Sequence, residues 1–199
     1  MIKKILLFGL LFLLKINCWS QDQTNPVLYA ELFGGYSIGS SSGWTGGIEL
    51  NYQIHNSLIT GRYVGLTELK HVGNFIFPYY IHIDKINELA LLYGKRHTYG
   101  NHTISYSAGL SYVNREFIIN NDYKYPSYDN QQSIGIPFEA DIKWFKRKKE
   151  RFRVVYGLVP IGKPTGFGRS IGFKLYGDIS KTTFVGLGIT FGLGWHKKY

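Results

Sequence analysis

Glu139 and Asp141 stand two residues apart. In an extended chain both carboxylates therefore project to one side. Two carboxylates on one face are the residue types that general acid–base chemistry uses. The competing use is ion pairing, because Lys143 continues the same face and other segments bring Arg62 and Lys174. The histidines His55, His71, His82, His97, His102 and His196 fall mostly in turns, loops or the tail. His97 and His102 flank one turn, with no acidic cluster beside them to complete a metal site. His71, His82, Ser127 and Asp129 supply the types of a Ser/His/Asp hydrolytic site, but no motif orders them. There is no phosphate loop, nucleotide fingerprint or cysteine cluster, so no catalytic residue, metal ligand or cofactor is assigned.

The elements that must position these groups are strands. Apolar and polar residues alternate with a period of two along most of the chain, and no long window has a helical period. In segment 27–39, Leu28, Ala30, Leu32, Tyr36 and Ile38 oppose Tyr29, Glu31, Phe33, Gly35 and Ser37. Segment 44–53 repeats the pattern, as do 83–97, 103–117, 133–145, 170–178 and 184–194. Segment 58–69 is ambiguous: Ile59 and Tyr63 oppose Thr60 and Arg62, but Val64 and Leu66 blur the faces. Turn signals separate these eight strands. The class is all-β and antiparallel. Segment 146–169 does not fit, being too long for a tight turn and holding the alternating Phe152, Val154, Tyr156 and Leu158. It reads as a β-excursion or strand extension, with a ten-stranded barrel as the alternative.

A soluble barrel turns its polar face outward, whereas a membrane barrel turns its apolar face to lipid. The last strand decides between them. Val185, Leu187, Ile189, Phe191 and Leu193 fill one face, and the other holds Gly186, Gly188, Thr190, Gly192 and Gly194. Such a face is too poor in solvating groups to be an outer surface, but it leaves room inside a narrow lumen. Trp44, Tyr52, Trp144 and Trp195 stand near strand ends, where a membrane barrel carries its aromatic girdles. Tyr199 shares the parity of Trp195 and joins them. At the other end, Lys3 and Lys4 precede an apolar run from Ile5 to Leu14, with Cys18 and Ser20 before Gln21. This is the layout of a cleaved signal peptide over residues 1–20, leaving residues 21–199 as one barrel domain. An anchor reading fails on length, since a membrane helix needs about 20 apolar residues. The formal charge of +10 falls to +7 without Lys3, Lys4 and Lys15.

With its final aromatic in register with the apolar row, the C-terminus resembles the signature by which assembly machinery recognises bacterial outer-membrane barrels. Lys197 interrupts that row. With the signal peptide, the whole mature chain resembles the small eight-stranded outer-membrane barrel family of the OmpA/OmpX-like type. The resemblance implies a fold and a location, the outer membrane of a Gram-negative-type bacterium. The partners it implies are outer-membrane lipid and the barrel assembly machinery, reached through the last strand.

On these parities Glu31, Glu49, Glu88, Glu139, Asp141 and Asp178 face the lumen, with Arg62, Arg96, Arg115, Lys143 and Lys174. An eight-stranded interior is about filled by side chains. The expectation is a lumen-closing charge network centred on Arg62, Glu88, Glu139, Asp141 and Lys174, with an ion path lined by the same residues as the alternative. Two longer connections, Lys70–His82 and Ile118–Gln131, read as extracellular loops. Tyr123, Tyr125 and Tyr128 in the second suit an interaction surface for an unidentified ligand. The basic run 146–149 with Arg151 and Arg153 reads as a solvated periplasmic turn rather than a nucleic-acid site. The functional expectation is a non-enzymatic outer-membrane barrel with structural or interaction roles. A lipid-modifying enzyme and a narrow, porin-like solute transporter are the alternatives.

Overall fold

The structure is a computed structural model that describes residues 27–74, 77–120, 126–145, 150–154, 158–165 and 168–194. Its strands are β1 (Val27–Gly39), β2 (Gly43–Ile54), β3 (Ser57–Asn74), β4 (Phe77–Tyr99) and β5 (His102–Ile118). They are followed by β6 (Tyr128–Phe145), β7 (Glu150–Val154), β8 (Val159–Thr165), β9 (Gly168–Ile179) and β10 (Phe184–Gly194). Eight of them close into an antiparallel barrel in the order β1-β10-β9-β6-β5-β4-β3-β2. β7 and β8 pair only with each other, so the connection from β6 to β9 is a β-excursion and the ten-stranded alternative falls.

The register sets the barrel's dimensions. Cross-strand partners lead from Asn114 through Asn87, Gly65, Gly46, Gly34, Ile189, Phe173 and Ile142 back to β5 at Ile104, ten residues from the start. An eight-stranded barrel with such an offset has strands tilted by about 35–45° and an interior just wide enough for side chains. The alternation then sorts residues to two environments. Leu32, Leu50, Leu89, Leu110, Ile136, Phe173 and Leu187 stand exposed on the outside, and Glu31, Glu49, Arg62, Glu88, Lys143 and Lys174 are buried inside. This is the inside-out polarity of a transmembrane barrel.

The bare face of β10 has a steric purpose. A Cβ on Gly186 would come within 2.6 Å of the Tyr176 ring, and one on Gly192 would crowd Ser170 and Glu31. Gly172 leaves the same space for Lys143, whose Cγ lies 2.7 Å from where a Cβ would stand. Segment 58–69 also resolves. Val64 and Leu66 share the inward parity of Arg62 and are fully buried, because one tier of the lumen is apolar.

The two ends of the barrel differ. Where β1 begins and β10 ends, the β2–β3 and β4–β5 connections are two-residue turns, His55-Asn56 and Gly100-Asn101, with Gly100 at φ +57°. That conformation favours the primed turns of tight hairpins. We call this the terminal end. At the far end β3 to β6 outrun their neighbours. The loop expected over Lys70–His82 is instead paired backbone, with Lys70 opposite Ile81 and His71 opposite Tyr80 beyond a bulge at Glu68/Leu69. The loop expected over Ile118–Gln131 shrinks likewise, since Tyr128 to Gln131 pair with Ile118 to Arg115. Local turn signals had overridden a hairpin register that continues past the barrel rim. A four-stranded sheet thus projects from the far end. Among the described residues no further strand pairs with its flanks, since β2 pairs with β3 only as far as Thr67 and β9 pairs with β6 only from Ile136.

Arginine substituted for Leu187, Ile189 or Phe191 should cost about 2–4 kcal/mol each, and less at Leu193 nearer the end of β10. Reversible guanidinium unfolding in lipid vesicles measures this. Equal costs at all four positions would contradict the membrane placement.

Candidate functional site

The lumen carries the chemistry-bearing residues, stacked in tiers along the barrel axis. Near the terminal end Val27, Tyr29 and Leu58 form a small buried apolar cluster. Arg96 lies over the Tyr29 ring, 4.9 Å from its centroid, and donates to Gln53 Oε1 at 2.7 Å.

The middle tier is ionic. Lys143 Nζ reaches Glu31 at 2.6 Å and Asp141 at 3.1 Å. Lys174 Nζ lies among four carboxylates: Glu49, Glu31 at 3.4 Å, Glu139 at 3.4 Å and Asp141 at 3.7 Å. Arg62 pairs with Glu88 through Nε at 3.0 Å and Nη2 at 2.8 Å, and with Glu139 at 3.5 Å. Its remaining donors reach the carbonyls of Phe138 and Gly177, both at 3.1 Å. Hydroxyls complete the shell: Ser107 donates to Glu139, Ser105 to Asp141 and Ser111 to Asp178. Barrel geometry explains these meetings. The alternation aims each group inward, and closure brings β9 opposite β1 and β2 across a lumen one side chain deep.

Above this lies an apolar plug of Phe33, Val64, Leu66, Ile86, Val113, Tyr176 and Phe184, all buried. Phe33 and Tyr176 pack with centroids 4.8 Å apart. At the far rim Arg115 donates from Nε to both oxygens of Asp84, at 2.9 and 3.1 Å, and from Nη2 to the Ser40 carbonyl at 3.2 Å. Ser41 and the Ser42 amide donate to Glu68.

The structure brings Arg62, Glu88, Glu139, Asp141 and Lys174 into one connected set, which Glu31, Glu49 and Lys143 extend. Arg115, read as lumen-facing, lies half-buried at the far rim beside Asp84. Its partner Asp84 and the apolar plug were not singled out. The plug's signal was the inward parity of Val64 and Leu66. Glu139 and Asp141 are buried and each is held by cations and a hydroxyl, so neither offers a free carboxylate to a substrate. The loop histidines have other partners. His82 Nε2 lies 3.1 Å from Glu116 Oε1, and its ring stacks on Tyr128 at 4.5 Å. His71 packs edge-on against Tyr80. Among the described residues no three His, Cys, Asp or Glu side chains are placed to hold a metal ion.

Trp44, Tyr52 and Trp144 face outward and are exposed. Tyr128 opens β6 and donates to the His82 carbonyl at 3.1 Å. Tyr123, Tyr125, Trp195 and Tyr199 lie outside the described residues.

No family model and no curated protein matches the sequence. Solved structures do match. Neisserial surface protein A aligns with a TM-score of 0.51 at 13% identity, over 85% of this chain and 96% of that one. The N-terminal β-barrel domain of Pseudomonas aeruginosa OprF gives 0.47 at 14% identity, over 83% and 96%. Ail, the attachment invasion locus protein of Yersinia pestis, gives 0.49 at 7% identity, over 85% and 96%. The Neisserial alignment supports the architecture read from the register. The chain has the fold of the small eight-stranded outer-membrane barrels.

Removing one partner of a buried ion pair typically costs about 3–5 kcal/mol. Glu139→Ala should fall in that range and Lys174→Ala at its upper end, because four carboxylates lose their shared cation. Lys181→Ala in the exposed β9–β10 turn should stay within about 0.5 kcal/mol. Unfolding midpoints of the three variants in one lipid test this ranking.

Proposed function

We propose that this chain is a non-enzymatic outer-membrane barrel with a closed lumen, and that it acts through the surface it presents at its far end. The observation that carries the reading is the filling of the lumen. A salt-bridged tier lies between apolar clusters on both sides, and its carboxylates already have partners. A transporter needs a continuous polar path, and a hydrolase needs an open nucleophile and base. On this reading residues 1–20 are a cleaved signal peptide, the last strand carries the assembly signal through Trp195 and Tyr199, and the far end faces the outside of the cell.

The projecting β3–β6 sheet supports an interaction role. Its outer strands have no further strand partner among the described residues, the setting in which an extended segment of a partner adds to a sheet edge. Tyr128 opens β6 in this sheet, and with Tyr123 and Tyr125 from the β5–β6 connection it supplies the residue type that gives large contact area at low entropic cost.

Purified protein in a planar bilayer should show little or no steady conductance. A large, stable single-channel current unaffected by Lys174→Ala would make the lumen an open path and overturn the closed-scaffold reading. Protease added to intact cells should cut within residues 119–127 while sparing the strands. Cleavage only after the periplasm is opened would invert the topology and remove the outward interaction surface.

A further inference from the structure

One side-chain cluster on the outer face of the projecting sheet belongs neither to the lumen network nor to the apolar plug. His82 on β4, Glu116 on β5 and Tyr128 on β6 meet there, although β5 lies between the other two strands. The His82 and Tyr128 rings stack with centroids 4.5 Å apart and planes 8° from parallel. Tyr128 Oη donates to the His82 carbonyl at 3.1 Å, and His82 Nε2 lies 3.1 Å from Glu116 Oε1. Tyr128 is the first residue of β6, and its backbone pairs with Ile118 at the end of β5. The cluster therefore fastens the start of β6 to the strand beyond its own neighbour.

The His82 and Glu116 side chains are 38% and 36% exposed, so protons and salt reach them. Lys85 shares their face, opposite Glu116, and His71 packs on Tyr80 further out along β3 and β4. By alternation Glu68, Lys70, Asp84, Arg115 and Asp129 belong to the other face, where Asp84 holds Arg115. Imidazole is the side chain whose charge changes between pH 5 and 8. Both neighbours of His82 respond to that change in one direction. Protonation makes the bond to Glu116 charge-assisted and places a cation on the face of the Tyr128 ring.

We infer that His82 is a pH-sensitive clasp: protonated, it draws the first residues of β6 onto β4, and deprotonated, it lets them loosen, so the far-end sheet is better ordered in acid than in base. The sign follows from the partners. The charged ring gains both contacts, so the clasp is strongest at low pH and weakens as the ring loses its proton. The partners are partly exposed and screened by solvent, so the change is modest. Its consequence for recognition rests on the far-end surface proposed above, to which Tyr128 belongs. The clasp itself is a property of the sheet.

The test uses the full mature chain in nanodiscs. Amide hydrogen exchange is read at about pH 5.5 and about pH 8, on either side of the imidazole range, as protection factors that remove the intrinsic effect of pH. The amides of residues 128–132 should be about three-fold better protected at the lower pH, while those of β10 stay constant. High salt should shrink the difference. His82→Gln should abolish it and Glu116→Gln should reduce it, whereas His71→Gln should leave it. The wild-type comparison between pH values and salts stands even if a variant fails to fold. Equal protection at the two pH values would overturn the inference, as would an unchanged pH dependence in His82→Gln. Because the protein is purified, an inverted topology in cells would remove the recognition role and leave this result as it is.

Discussion

Lys174 Nζ sits among four carboxylates that come from three different strands, Glu31 on β1, Glu49 on β2, and Glu139 and Asp141 on β6, with its own backbone on β9. Three strands besides its own are thereby tied across the lumen by one ammonium group. The carboxylates in turn reach Lys143 and Arg62, and Arg62 reaches Glu88 on β4. The bilayer makes this network necessary. Backbone groups are satisfied by closing the barrel, and polar side chains cannot face lipid, so they turn inward. Charges held in so narrow an interior are costly unless each meets a partner. The apolar clusters at both ends of the tier keep it dry, which strengthens the pairs and raises the cost of breaking any one of them.

The same constraint accounts for the glycines. A lumen one side chain deep cannot hold a large residue at every inward position. Long inward groups therefore lie over neighbours that have none: Lys143 over Gly172, Asp178 over Gly135, Phe33 over Gly47, Tyr176 over Gly186. A glycine on one strand and a charged or aromatic residue on the next act as one unit of packing, and neither can be changed alone without cost.

This pairing explains which parts of the molecule are legible in its residues. Alternation is a local property, so the strands, the inward charges and the lipid-facing row of β10 can be read from spacing alone. Which inward charge meets which depends on the ten-residue offset around the barrel, and that offset depends on every hairpin register at once. Glu31 and Lys174 are far apart in the chain and carry no local mark of their meeting. Val64 and Leu66 blurred the pattern because an apolar lumen tier uses the same residue types as the exterior. Arg115 kept the inward parity but lies where β5 passes the rim, so its environment changes while its periodicity does not. At the far end, Asn74, Pro78 and the polar residues near Tyr128 look like loop composition, yet β3 to β6 continue there because each already has a partner in register.

A filled lumen also determines where such a molecule can act. The walls meet lipid and the interior is committed to its own cohesion, so contact with anything else falls to the two ends. Those ends are built in opposite ways. The far end extends the barrel's own strands into a sheet whose outer strands have no further strand partner among the described residues. The terminal end is trimmed to two-residue turns except for the β6–β9 connection, residues 146–167, whose sequence holds +6 of the +7 carried by residues 21–199. That charge lies in the sequence between β6 and β9, outside the buried set, in which seven acids outnumber four bases among the described residues. The division follows from electrostatics: a charge held in the narrow lumen is costly without a partner, so basic residues that have no carboxylate to meet are carried more cheaply outside the barrel wall.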